Sequence, residues 1–154
     1  MKARAVVLTM AVCFVAVAAC RADDLTTGTW KLNEAKSHLN AGAPKYSTVV
    51  FEPVGDSVKI TIDGTNAAGN PAHNEWTGKF DGKDYPVTGD PSTDTRSLRQ
   101  INSRTLALRV IKDGKVTVTG RVVLSRDGKS RVVYTTVTDA QGHKVKSMAY
   151  YDKE

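Results

Sequence analysis

The segment Gly28-Thr29-Trp30-Lys31-Leu32-Asn33 is the first stretch of the chain whose pattern predicts a β-strand, and it holds one of only two tryptophans. Trp30 and Leu32 fall on one face of such a strand. The polar side chains of Thr29 and Lys31 fall on the other, which is the alternation of a half-buried strand. Most of the sequence that follows repeats this period of two, so we predict that the segment is the first strand of a closed sheet.

Ten strand-like segments follow one another from this point. Turn signals such as Asp81-Gly82-Lys83, Asp113-Gly114 and Asp127-Gly128 separate apolar runs with a period of two, which is typical of antiparallel hairpins. The predicted strands are Gly28–Asn33, Tyr46–Phe51, Ser57–Ile62, Ala72–Phe80, Asp84–Thr88, Thr95–Ile101, Arg104–Ile111, Lys115–Ser125, Arg131–Thr138 and His143–Tyr151. Apolar faces of the later strands are predicted at Leu106, Leu108 and Val110, at Val116, Val118, Val122 and Leu124, and at Val132 and Tyr134.

This pattern predicts an all-β fold, an antiparallel up-and-down β-barrel of about ten strands. An even number of strands lets the first and last strands pair antiparallel, and closure removes the two bare edges of the sheet. A two-layer sandwich is the alternative. At most one short helical turn is predicted after the first strand, within residues 34–39.

In such a barrel the connections between strands fall alternately at its two ends. The three long connections, residues 34–45, 63–71 and 89–94, all share one end, which we call the mouth. The other end has only tight turns, and we call it the floor. Trp30 comes early in the first strand, so its indole ring is predicted to close the floor.

The N-terminal residues 1–22 have the features of a secretory signal peptide. Lys2 and Arg4 form a short positive region, and residues 5–19 carry no charge and are rich in valine and alanine. That run is too short for a membrane-spanning helix. We therefore predict export, with residues 23–154 forming a single barrel domain in the periplasm, at the outer membrane or outside the cell.

Two cleavage sites fit the end of this leader. Val17-Ala18-Ala19-Cys20 has the form of a bacterial lipobox, which would attach the protein to a membrane through an acylated Cys20. Cleavage after Ala22 is the alternative and yields a soluble exported protein. Both cysteines, Cys13 and Cys20, lie in or at the edge of the leader, so the domain has no disulfide and depends on its core for stability.

The charge of the chain does not indicate a nucleic-acid partner. The full sequence has a net charge of +6, and cleavage after Ala22 removes three basic residues and leaves +3. The lysines and arginines are scattered, whereas nucleic-acid binding needs a basic stripe interleaved with aromatic residues. We expect a monomer with no nucleic-acid partner.

The sequence resembles the calycins, the superfamily of lipocalins, fatty-acid-binding proteins and avidins. Gly28-Thr29-Trp30 matches the Gly-x-Trp of their first strand, where Gly28 and Trp30 are structural, and Tyr150-Tyr151-Asp152-Lys153 is similar to the closing Tyr-Glu-Lys of fatty-acid-binding proteins. Residues 82–91 also resemble a segment of small secreted bacterial lipocalin-like proteins. The resemblance spans roughly residues 26–153 and implies a calycin-like barrel that binds a small hydrophobic molecule.

Two differences from fatty-acid-binding proteins bear on the ligand. Those proteins hold a carboxylate with an Arg-x-Tyr in the last strand, but Met148 and Ala149 stand two residues before Tyr150 and Tyr151 here. Their lid of two helices is also reduced to residues 34–45. We therefore expect a more open cup without the usual carboxylate anchor.

A binding cup needs an apolar lining and one or two buried polar groups that orient the ligand. Arg96 is the candidate for an anionic head group, because a buried guanidinium requires a partner. The alternative is that the side chains of the predicted lining simply fill the barrel and that Arg96 reaches solvent at the mouth. The predicted ligand-binding residues are Phe51, Trp76, Arg96, Leu98, Gln100, Leu108, Tyr134 and Tyr151.

Catalytic and metal-binding motifs do not stand out. The histidines His38, His73 and His143 lack metal-ligand spacing, so no metal or other cofactor is predicted. His73 and Glu75 lie about 7 Å apart on one face of a strand, where an acid–base pair would fit, but Trp76 marks the opposite face as the interior. A non-catalytic carrier is the leading hypothesis. The alternatives are an envelope interaction module with a packed barrel and a lipocalin-type enzyme.

Overall fold

The computed structural model describes residues 26–138 and 141–154. The predicted leader, residues 1–22 with Cys20, lies outside these ranges, as do residues 23–25 and the first two residues of the predicted turn 139–142. A search of the described residues for a helix long and apolar enough to cross a membrane finds none.

Ten antiparallel strands form one closed barrel, which confirms the predicted fold. They are β1 (Gly28–Leu32), β2 (Lys45–Val54), β3 (Ser57–Thr65), β4 (Pro71–Gly78), β5 (Tyr85–Thr88), β6 (Thr95–Asn102), β7 (Thr105–Lys112), β8 (Lys115–Leu124), β9 (Ser130–Thr138) and β10 (Lys144–Lys153). Their order round the barrel is β1-β10-β9-β8-β7-β6-β5-β4-β3-β2. One 3₁₀ turn, Glu34–Lys36, follows β1, as predicted, and no other helix occurs in the described part of the chain.

The pairing of β1 with β10 closes the barrel near Trp30. The Cα atom of Trp30 lies opposite that of Val49 on one side and that of Lys153 on the other. Its ring is fully buried, and its Nε1–H donates a hydrogen bond to the carbonyl oxygen of Thr26 at 2.9 Å. Trp30 therefore fills the floor end of the interior, as the sequence predicts.

Arg131 is buried against three aromatic rings at the floor. Its guanidinium carbon lies 4.7 Å from the ring centroid of Trp30, 4.6 Å from that of Phe51 and 5.0 Å from that of Tyr151. Burial lowers the pKa of Arg131 to about 9, an effect that the nearby Tyr151 opposes, and burial raises the pKa of Tyr151 to about 12. At neutral pH the floor therefore holds a cation whose neighbours are ring faces.

The sequence predicts Val132 and Tyr134 on the inner face of β9, and this prediction is wrong. Val133 lies opposite Val122, which is buried, so Val133 faces the interior and Tyr134 faces outward. Apolar residues occupy both faces of this strand, so the alternation alone does not fix its orientation. The three rings at the floor fix it, because they accommodate Arg131 on the inner face.

Val116 is a second apolar residue whose predicted orientation is wrong. The register between β7 and β8 shifts between Val110 and Ile111, which inserts one unmatched residue into β8. Val118, after the shift, pairs with Val110 on the inner face, whereas Val116 lies opposite Ile111 and is 45% exposed.

Candidate functional site

Arg96 is a buried cation in the mouth half of the barrel. It lies on β6 and is only 7% exposed. Its Nη2–H donates a hydrogen bond to Oδ1 of Asn74 at 3.1 Å, but its Nη1 is buried and has no hydrogen-bond partner among the described residues. The Nε1–H of Trp76 donates to the carbonyl oxygen of Arg96 at 2.8 Å and ties β4 to β6 here. The alternative that Arg96 reaches solvent at the mouth is therefore wrong.

Charge compensation for Arg96 is weak. Burial lowers the pKa of Arg96, and the nearby Tyr46 and Asp90 oppose that effect. Burial also acts to raise the pKa of Asp90, but hydrogen bonds from Ser92 and Thr93 lower it overall. These hydrogen bonds occupy both carboxylate oxygens of Asp90 within its own loop, where Ser92 Oγ lies at 2.6 Å and Thr93 Oγ1 at 2.8 Å. Among residues 26–138 and 141–154, no carboxylate forms an ion pair with Arg96.

A row of directly paired inner residues starts at Arg96 and crosses five neighbouring strands. The Cα pairs run from Arg96 to Val110, and then to Val118, Val137 and Val145. Exposure rises along the row, from 7% at Arg96 and 8% at Val110 to 38% at Val145. Four strand spacings make the row about 19 Å long. It connects the buried cation to an apolar wall that reaches solvent at the mouth, and we call it the valine row.

The inner wall of β8 to β10 next to the valine row carries small side chains. Gly120, Thr135 and Ser147 are paired with one another in the adjacent row, and Ala149 pairs with Val133 one row nearer the floor. All five are only partly buried, whereas the central inner residues of β2 to β4 are buried. The inner wall is therefore more accessible to solvent along β8 to β10 than along β2 to β4.

Comparisons with known proteins place this geometry in a fold. The barrel is similar to a Schistosoma mansoni fatty acid binding protein in complex with arachidonic acid, with a TM-score of 0.55 and 20% identity over 84% of this chain and 96% of that one. The chain has the fatty-acid-binding-protein fold. A scan against protein-family models gives no match, and a search of curated proteins gives none either.

Two redesigned β-barrels are also similar to this chain. One is a redesigned β-barrel, mFAP1, bound to DFHBI, with a TM-score of 0.47 and 14% identity over 84% of this chain and 95% of that one. The other is a second redesigned β-barrel, with a TM-score of 0.49 and 14% identity over 88% of this chain and 97% of that one.

Four of the predicted ligand residues lie together in the middle of the barrel. Trp76, Arg96 and Leu98 are buried on β4 and β6, and Leu108 on β7 pairs with Leu98 and is half-buried. Asn74, which is not among the predicted ligand residues, completes this group. Its spacing of two residues from Trp76 is the signal that places both on one face of β4.

The other four predicted residues are not part of this group. Phe51 and Tyr151 pack around Arg131 at the floor. Gln100 is exposed to solvent near the floor end of β6, and Tyr134 is 49% exposed on the outer face of β9. The structure therefore corrects the predicted interior position of Tyr134. Gln100 pairs with the buried Leu106 on the face of Leu98, as predicted, but it is exposed at the floor end.

His73 and Glu75 lie on the outer face of the barrel. Nδ1 of His73 is 2.6 Å from Oδ1 of Asp63, and Nζ of Lys59 is 2.7 Å from Oε1 of Glu75. The hydrogen bond from Lys59 is the main cause that lowers the pKa of Glu75. An enzyme built on this pair needs both residues in the interior, and they are outside it. Within the described ranges no three His, Cys, Asp or Glu side chains are arranged to hold a metal.

Proposed function

We propose that the protein is an exported, non-catalytic carrier that holds a small hydrophobic or amphipathic molecule in the barrel interior. The observation that supports this proposal is the valine row, which joins the incompletely hydrogen-bonded Arg96 to an apolar wall open at the mouth. The structurally similar Schistosoma mansoni protein is in complex with arachidonic acid, a hydrocarbon chain with an acidic head group.

In this proposal an anionic head group binds Arg96 and the apolar part of the ligand lies along the valine row. Arg96 Nη1 has a free donor, and a hydrogen bond between charged groups contributes about 1.5–3 kcal/mol. Each buried methylene adds about 0.8 kcal/mol. Trp76, Leu98 and Leu108 surround the head-group end. The small side chain of Ala149 lies on the inner wall along the path of the chain.

The first test is to fill the proposed lumen. We expect Ala149→Phe, which adds a ring to the inner wall, to reduce the affinity for alkyl carboxylates at least about tenfold because ring and ligand need the same space. The matched control is Ala107→Phe, because Ala107 pairs with Arg121, which in turn pairs with the outward-facing Tyr134. Binding is measured by tryptophan fluorescence, since Trp76 lies beside Arg96.

The wild-type titration decides between the carrier and its main alternative. Saturable binding that Ala149→Phe weakens and Ala107→Phe leaves unchanged supports the carrier. Absence of any saturable response from the wild type to alkyl carboxylates, alkyl alcohols and hydrophobic dyes would overturn it. An envelope interaction module with a packed barrel would then be favoured.

We further propose that Cys20 carries the lipid anchor, in preference to cleavage after Ala22. The support is the small-residue sequence that precedes Cys20. In a bacterial host we expect incorporation of labelled palmitate, and we expect globomycin to cause the uncleaved precursor to accumulate. Cys20→Ala should abolish the label, whereas Cys13→Ala should not. A globomycin-insensitive, unlabelled product cleaved after Ala22 would contradict the anchor.

A further inference from the structure

The outer face of β8 to β10 is basic toward the mouth. Tyr134 faces outward, and its Cα partners Arg121 and Met148 share that face. Lys146 and Lys144 pair with Thr136 and Thr138, which alternate with Tyr134 along β9 and so also face outward. We call Arg121, Tyr134, Lys144 and Lys146 the basic face.

The cations of the basic face are not neutralised by neighbouring strand residues. Among the described residues, Arg121, Lys144 and Lys146 form no ion pair. No aspartate or glutamate occurs in residues 115–124, 130–138 or 144–151. Elsewhere on the barrel, exposed cations such as Lys59, Lys79 and Arg109 are paired with carboxylates. The basic face therefore combines three cations on strand segments that carry no carboxylate.

Apolar side chains are exposed around the same cations. Tyr134 is 49% exposed at the centre of the basic face, and Val116 is 45% exposed at the mouth end of β8. Val145 lies between Lys144 and Lys146 in the sequence, faces the interior and is 38% exposed. The rim of the mouth thus has lysines on its outer side and the end of the valine row on its inner side.

We propose that the basic face docks the barrel, with the rim at β8 to β10 leading, onto a bilayer that contains anionic phospholipids. The anionic phosphate groups of the lipids supply the negatively charged partners that Arg121, Lys144 and Lys146 do not have within the described residues. Tyrosine is favoured at membrane–water interfaces, because its ring is apolar and its hydroxyl is polar. This proposal goes beyond the carrier function and holds whether or not the interior binds a ligand.

A bilayer fits this face better than a nucleic acid, which presents similar phosphates. The cations lie beside an exposed apolar rim, and a bilayer offers an apolar phase directly beneath its charged surface, whereas a duplex does not. The basic face, as far as the described residues show it, has only three cations and does not continue into a longer basic stripe. Docking is therefore expected to be weak, reversible and sensitive to salt.

The experiment measures which surface of the whole chain meets the lipid. Tyr134→Trp places a fluorophore on the basic face, and Val54→Trp places one at the floor end of β2, where Val54 is 50% exposed. Vesicles contain phosphatidylcholine with or without brominated phosphatidylglycerol, which quenches tryptophan on contact. Trp30 and Trp76 are buried in both variants and give a common background. This readout of orientation does not depend on whether the N-terminal residues also hold the chain at the vesicle.

We expect the tryptophan at position 134 to be quenched by the brominated anionic lipid at low salt, and the one at position 54 to be unaffected. Each cation near an anionic surface strengthens binding about fivefold. Lys144→Gln combined with Lys146→Gln should therefore raise the lipid concentration for half-quenching about 25-fold. Lys83→Gln combined with Lys129→Gln, in exposed floor turns, makes the same change in net charge and should have no effect.

Three outcomes would overturn the docking surface. The first is equal quenching of the tryptophans at positions 134 and 54. The second is an equal loss of quenching when the Lys144 and Lys146 pair or the Lys83 and Lys129 pair is replaced by glutamine. The third is quenching that persists unchanged when the only brominated lipid is neutral phosphatidylcholine. Release from the vesicles by a DNA duplex at equal phosphate concentration would assign the basic face to nucleic acid instead.

Discussion

Trp30→Ala is expected to lower the free energy of unfolding by about 4 kcal/mol or more. The substitution empties the fully buried floor, which costs about 3–5 kcal/mol for a tryptophan. It also removes the ring face that lies 4.7 Å from the Arg131 guanidinium and the hydrogen bond from Nε1 to Thr26. Domains of this size have about 5–15 kcal/mol of net stability, so the variant is expected to lie close to its unfolding threshold.

Urea denaturation followed by far-ultraviolet circular dichroism measures this effect independently of tryptophan emission. Trp30→Phe, which keeps a ring over Arg131, is expected to lose clearly less stability than the alanine variant. Tyr134→Ala removes an aromatic ring from the outer face and should change the free energy of unfolding by less than about 0.5 kcal/mol. A loss below about 2 kcal/mol for Trp30→Ala would show that the floor collapses around the gap and does not depend on this ring.

Arg96→Met is expected to reduce the affinity for an alkyl carboxylate about 10- to 100-fold and to leave that for the alcohol of the same length unchanged. The factor corresponds to the loss of a charge-assisted hydrogen bond in a buried site. Stability should change by less than about 1 kcal/mol. Removing the desolvated cation is favourable, but Oδ1 of the buried Asn74 then loses its donor.

The second buried arginine provides the matched control. Arg131→Met makes the same change at the floor, where the guanidinium contacts three rings, and we expect it to lower stability by about 2 kcal/mol while the carboxylate affinity stays the same. Fluorescence titration and thermal unfolding of both variants should show that Arg96→Met lowers the carboxylate affinity but hardly the stability, and that Arg131→Met lowers the stability but not the affinity. If Arg96→Met weakened the acid and the alcohol equally, Arg96 would support the barrel without recognising a head group.

The fold follows from local sequence signals, and these could be read directly. Strict alternation in segments such as Val58-Lys59-Ile60-Thr61-Ile62 predicts strands, and Asp-Gly pairs predict the tight turns between them. Alternating connection lengths also predict which end is the mouth. Strand limits differ from the predicted ones by only a few residues, because hairpin pairing extends strands beyond their most apolar part, as in β2.

The interior site was only partly predictable, because its contacts join strands that are far apart in sequence. Arg96 was identified from its alternation with Leu98, but Arg131 was not. Its burial depends on rings from β1, β2 and β10, and no local pattern around residue 131 contains that information. The shifted register opposite Val116 is likewise a property of two paired strands and not of either one.

The pairing of β1 with β10 also bears on when the chain can fold during synthesis. Trp30 leaves the ribosome early, yet its partner strand is the last to be made, and the ring of Tyr151 that packs on Arg131 arrives with it. Until the 10 residues of β10 emerge, the sheet stays open and the floor is incomplete. Contacts of such long sequence separation form late. We therefore expect the barrel to close only after β10 has been made.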